Sequence, residues 1–120
     1  MNPCNSTTNR GKSSGGDRIA ISLGDDGVLW SEWVPWIDRV AERLIELGVE
    51  TGDRVNVCAA NSIEYCTLAM AIMRAGGIVA PLNTRFTAHE LCEIVEDHAP
   101  RLIFAEASQT EKFLDCGVLL

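Results

Sequence analysis

No stretch of this sequence is long and apolar enough to span a bilayer. Its most apolar run, Leu68 to Leu82, is broken by Arg74, Gly76, Gly77 and Pro81 and falls short of the ~20 apolar residues a crossing helix needs. Met1 to Asp17 carries no apolar h-region, so no signal peptide is read there. A basic stripe is also missing. The formal net charge is −7, which argues against a nucleic-acid surface, because phosphate contact needs clustered Lys and Arg. The five cysteines, Cys4, Cys58, Cys66, Cys92 and Cys116, are odd in number, form no CxxC pair and fall mostly in apolar runs. They are expected to act as reduced, small hydrophobes of a cytoplasmic protein, not as disulfides or metal ligands.

Large side chains are scarce before Arg18. Residues 1–17 are rich in Ser, Asn, Gly and Thr and read as a disordered tail, unable to bury enough surface to offset the entropy of ordering. From residue 18 the pattern changes. Arg18–Leu23 and Val28–Trp30 read as two short strands, with Asp26-Gly27 as the hairpin turn between them. Ser31 is expected to cap a helix whose apolar face is Trp33, Ile37, Val40, Ala41, Leu44 and Leu47, stopped by Gly48. A strand over 54–60 follows, then a helix from Ser62 to Ala75 capped by Asn61 and apolar on most of its circumference, hence expected to be buried on more than one side. "IVAPLN" (78–83) reads as a second buried strand. Thr87 and Glu90 form a capping box for a helix over Ala88–His98, and "RLIFAE" (101–106) is a third strand. The final "SQTEKFLDCGVLL" begins a helix from a Ser or Thr cap. Strand–helix–strand–helix–strand with nearly continuous apolar strands predicts an α/β fold: a mainly parallel, partly doubly wound sheet with helices on both faces, preceded by a β-hairpin.

Several patterns invite a chemical reading. Thr51-Gly52-Asp53 has the letters of a nucleotide-binding triplet, but it precedes its strand, whereas α/β ligands gather at strand carboxyl ends. It is expected to be a turn, with Asp53 bonding to backbone two residues on. "RGKSS" (10–14) mimics a phosphate loop without the Gly or the strand such a loop needs, and Gly76-Gly77 is no dinucleotide fingerprint. His89 and His98, near Glu93, Glu96 and Asp97, read as a wet helix face, so no metal site is expected. Trp30, Trp33 and Trp36 either stack a ligand or, at helical spacing, belong to the core. "PLNTRF" (81–86) is the surface of most interest, because it follows a strand's carboxyl end and precedes a capped helix. Arg85 there either pairs with a phosphate or carboxylate or is simply solvated.

Read together, "LWSEWVPWIDRVAERLIELGVETGDRVNVCAANSIEYCTLAMAIMRAGGIVAPLNTRFTAHELCEIVEDHAPRLIFAE" resembles the start of the AMP-forming adenylating enzymes, the superfamily of acyl- and aryl-CoA synthetases, luciferases and peptide-synthetase adenylation domains. "GVETGDRV" matches their helix–turn–strand, and "MRAGGIVAPLN" their Ala-Gly pair before a strand ending in Pro-Leu. "PLNTRFTAHELCEIVED" looks most like the acyl-CoA synthetases. The resemblance implies that residues 18–120 are an incomplete amino-terminal α/β subdomain. It further implies an enzyme that joins a carboxylic acid to ATP as an acyl-adenylate, then transfers the acyl group to coenzyme A (CoA), with Mg²⁺ on the phosphates. In some CoA-forming members the loop matching Asn83, Thr84 and Arg85 lies near the CoA nucleotide.

The family's Pro-Lys-Gly phosphate loop, aromatic-Thr-Glu motif, later Thr-Gly-Asp motif, hinge and catalytic Lys have no counterpart in these 120 residues. No catalytic residue is therefore assigned. The chain alone is expected to be inactive and to bind ATP, Mg²⁺ or CoA loosely at most, with the remainder of the same enzyme packing on it. The alternative is a free-standing α/β module that binds a nucleotide, CoA or a protein partner without catalysis.

Overall fold

A computed structural model describes residues 17 to 114 and residue 116. All but Asp17 of the expected tail, together with Cys4 and the RGKSS stretch, lies outside the described residues. The chain opens with an antiparallel hairpin, β1 (Ile19–Leu23) and β2 (Asp26–Leu29), in which Leu23 stands opposite Asp26. The turn is therefore Gly24-Asp25, not Asp26-Gly27. Gly24 has φ +62°, and a positive φ at the first of two turn residues is the hairpin geometry glycine supplies most readily. Gly27 sits inside β2 opposite Ser22.

Helix α1 (Trp30–Glu46) starts one residue before the expected cap. Leu29 holds the N-cap position and its N–H donates to Glu32 Oε1 at 3.3 Å. Ser31 lies in the first turn and donates its hydroxyl to Asp17 at 2.9 Å. Pro35 is accommodated near the amino end of the helix, where few N–H groups find intrahelical partners. The helix buries Trp33, Ile37, Ala41 and Leu44 and ends before Gly48, at φ +102°.

The second unit is a three-stranded parallel sheet of order β4-β3-β5, built from β3 (Arg54–Cys58), β4 (Ile78–Pro81) and β5 (Leu102–Ala105). Helix α2 (Ile63–Arg74) joins β3 to β4, and α3 (Ala88–His98) joins β4 to β5. Alternation along β3 separates two cores. Val55 and Val57 pack with α1 and α2, while Cys58 joins Leu82, Leu91, Val95 and Phe113 on the α3 side. The chain turns left to β4 and then right to β5, so consecutive crossovers cover opposite faces, as in doubly wound sheets.

Three details differ from expectation. Ser62, not Asn61, caps α2: its hydroxyl accepts from the Tyr65 N–H at 2.9 Å. Helix α2 buries one face (Ile63, Thr67, Ala71, Ile72) and leaves Met70 and Met73 at 41% and 54% exposure. The last element is a 3-10 helix, Ala107–Phe113, with no side-chain cap. The Thr87–Glu90 capping box is present, with bonds of 2.9 and 3.2 Å.

Candidate functional site

Three loops leave the carboxyl ends of the parallel strands side by side, because Leu82 N–H donates to Val57 O (2.8 Å) and Glu106 N–H donates to Cys58 O (3.0 Å). Here the strand order reverses, which is where ligands of α/β sheets bind. The loop after β4 carries Asn83, Thr84 and Arg85. Asn83 turns it: its Oδ1 accepts from Arg85 N–H at 2.8 Å and its carbonyl from Phe86 N–H at 3.1 Å. Such an Asx turn is the ordinary use of Asn in a loop. Asn83 and Arg85 are exposed and Thr84 is half-buried. Among the described residues no carboxylate pairs with Arg85, so its five donors remain available to an anion.

Lys112 reaches the same loop from the 3-10 helix. Its Nζ donates to Thr84 O at 2.8 Å and to Phe86 O at 2.9 Å. Sequence reasoning missed this residue, and a single Lys 26 and 28 positions away leaves no periodic signal. Glu106 was missed too; its carboxylate accepts from Ala60 N–H at 2.7 Å and so fills the polar ledge ahead of α2. Between α2 and β5 lies an open groove of about 350 Å³, walled by Val57, Tyr65, Leu68 and Phe104 and rimmed by Glu64 and Glu106. Those two carboxylates make it unsuited to an anion. Burial pushes the pKa of both the Tyr65 phenol and the Cys58 thiol above their ordinary values, so at neutral pH both keep their protons. Cys58 is thus a buried thiol rather than a nucleophile.

The remaining candidates resolve into structural roles. Asp53 Oδ2 accepts from Glu50 N–H at 2.8 Å and from Arg101 Nε at 3.1 Å. Its backbone bond thus runs three residues back, not two residues on. The turn also docks on the end of α2, through Gly52 N–H to Gly76 O (2.9 Å) and Ile78 N–H to Asp53 O (2.7 Å). Trp33 is buried and its indole N–H donates to Thr67 Oγ1 at 2.8 Å, Trp36 is half-buried, and Trp30 is exposed. His89 faces Glu93 at 3.1 Å on the exposed side, whereas His98 Nδ1 lies 2.9 Å from Asn56 Nδ2. Nine residues on a helix are half a turn out of phase, so the two imidazoles point apart. Among the described residues no group of three His, Cys, Asp or Glu can hold a metal ion.

One expectation is overturned. Cys92 and Cys116 form a disulfide, their Cα atoms 5.0 Å apart across 24 residues. The 3-10 helix folds back on α3 and brings together two cysteines whose spacing suggested nothing. Cys58 (buried) and Cys66 (half-buried) remain free.

Among known proteins, the family described as AMP-binding enzyme matches residues 9–118. The 3-[(3aS,4S,7aS)-7a-methyl-1,5-dioxo-octahydro-1H-inden-4-yl]propanoyl:CoA ligase of Mycobacterium tuberculosis is 42% identical over 89 residues, 74% of this chain and 18% of the ligase. Malpinin synthetase of Mortierella alpina is 30% identical over 90 residues, 75% of this chain and 1% of that protein. Among solved structures, MatB of Rhodopseudomonas palustris, known both apo and ATP-bound, superposes with a TM-score of 0.78 at 31% identity, covering 97% of this chain and 23% of MatB. The chain thus spans about a quarter or less of the length of each of these relatives. Match, identity and superposition agree: this chain belongs to the AMP-binding enzyme family.

Proposed function

We propose that the chain is the amino-terminal part of an ATP-dependent, AMP-forming acid–CoA ligase. In the complete enzyme a carboxylate attacks ATP, releasing pyrophosphate and forming an acyl-adenylate, and the CoA thiol then displaces AMP to give the thioester. The observation that carries this reading is the 42% identity to a CoA ligase. Long-chain fatty-acid–CoA ligases of Mycobacterium tuberculosis, at 35% identity over 66 residues, favour a role in fatty-acid metabolism. A need for ATP and CoA supports a cytoplasmic location, although the Cys92–Cys116 disulfide does not add to it.

Within such an enzyme the loop Asn83–Thr84–Arg85 faces CoA. The guanidinium at the head of a βα loop, unpaired among the described residues, fits a phosphate of the CoA nucleotide, because Arg presents a planar fork matched to phosphate oxygens. CoA when bound supplies the thiol. Arg85 binds and orients its nucleotide end, and the Asx turn at Asn83 holds the backbone from which that arginine projects. Mg²⁺ has no ligand set among the described residues, so no step on this chain runs through it. The chain alone, without the family's later motifs, is expected not to catalyse. The rest of the enzyme packs on the faces left open.

Titration of CoA into the ¹⁵N-labelled chain tests this. Shifts are expected at the amides of Thr84 to Phe86, weakened about tenfold or more by Arg85→Ala, with no ATP–pyrophosphate exchange by the chain. Shifts confined to other loops overturn the CoA-facing assignment. Binding of an adenine nucleotide elsewhere, without exchange, establishes the free-standing binding module instead.

A further inference from the structure

The carbonyls of Thr84 and Phe86 flank Arg85, and both accept from one ammonium group, that of Lys112, at 2.8 and 2.9 Å. A lysine on a mobile surface would leave its three donors to water. Here two of them are spent on the backbone either side of a single residue. The segment that carries Lys112 is itself anchored. Phe113, the next residue, is fully buried, Thr110 Oγ1 donates to Glu106 O at 3.3 Å, and Cys116 is bonded to Cys92 of α3. The Asx turn at Asn83 sets the chain direction within the loop but offers nothing to those two carbonyls.

We propose that Lys112 is the positioning residue of the Asn83–Phe86 loop, and that it sets the direction in which Arg85 projects. The 3-10 helix is then a strap across the carboxyl end of β4, with Lys112 as its hook. That this orients a nucleotide phosphate rests on the proposed function. That it orders the loop does not. Charge-assisted bonds to two carbonyls hold a backbone more firmly than neutral ones, and with both removed the loop keeps only the two neutral bonds that Asn83 accepts from the Arg85 and Phe86 N–H groups.

Lysine reactivity and amide exchange on the whole 120-residue chain test the hook. The sequence has two lysines, Lys12 and Lys112, so acylation by a succinimidyl ester is read at each by mass spectrometry. Lys112 is expected to react about tenfold more slowly than free Nα-acetyl-lysine. In K112M the Arg85 and Phe86 amides should exchange about tenfold faster while Val55 and Val57 keep their protection, and K112R should restore them. Should K112M unfold the chain, K112Q, too short to span both carbonyls, is read in the same way. Unchanged exchange at Arg85 and Phe86, or a K112R that behaves like K112M, overturns the proposal. If K112M frees the loop but CoA never shifts it in the wild type, the CoA reading fails and the positioning role stands.

Discussion

Asp53 shows how one side chain closes a fold. Its carboxylate holds the Glu50 N–H and the Arg101 guanidinium together, tying the turn before β3 to the residue before β5. The Glu50 N–H chiefly, with Arg101 adding to it against the opposing effect of desolvation, holds its pKa below the ordinary carboxylate value. Glu90 is lowered likewise by the Thr87 cap. Both groups bind a proton more readily unfolded than folded. Their contribution is therefore complete above the ordinary value near 4 and is lost as pH falls through the depressed folded values. Urea midpoints measured from pH 6 to pH 3 should fall steeply below pH 4, and Asp53→Ala should flatten that fall. An unchanged slope in the variant would remove Asp53 from the account. The turn role was legible from Gly and Asp preceding an apolar run; Arg101, 48 residues away, was not.

At the scale of elements, α3 was legible over its full length, because its cap is a local sequence device and its apolar positions keep a helical period. The other starts drifted by one or two residues. Asn61 and Ser62 are both good caps, and which one serves depends on where the strand before it ends. Gly24 and Gly27 both allow a tight turn, and strand register chose Gly24. Gly76, just past the α2 C-cap Ala75, has a purpose that lay in the packing. Gly76 has φ +93°, and a Cβ there would stand 3.0 Å from Thr51 Oγ1. Gly76→Ala should cost about 1–2 kcal/mol, read as a lower urea midpoint with unchanged slope. A loss of only a few tenths would mean that the α2 end and the Thr51 turn move apart freely.

For the whole molecule, the open surface matters as much as the core. Trp30, Val34, Met70 and Met73, at 47, 38, 41 and 54% exposure, line a groove of about 530 Å³ between α1 and α2. A contiguous apolar patch of this kind usually marks a surface that something covers. In the proposed ligase the cover is the remainder of the enzyme. The isolated chain should therefore self-associate as concentration rises, and Val34→Glu with Met73→Glu should suppress this with little change in thermal midpoint. Sedimentation velocity checks it: a chain that stays monomeric into the millimolar range would show that the patch needs no cover.

Periodicity, caps and Gly stops, all local in origin, were enough to read an α/β fold with parallel strands and to find the loop at Asn83–Arg85. The run of matched segments was enough to read the family. What the sequence could not determine were contacts made by single residues across long chain separations. Lys112 on the Thr84 and Phe86 carbonyls, Cys92 bonded to Cys116, Arg101 on Asp53 and Glu106 on Ala60 each depend on how the 3-10 helix and β5 dock on the sheet. A periodic face repeats its signal every turn or every second residue. A lone tertiary hydrogen bond or disulfide leaves none, and only the packed structure decides it.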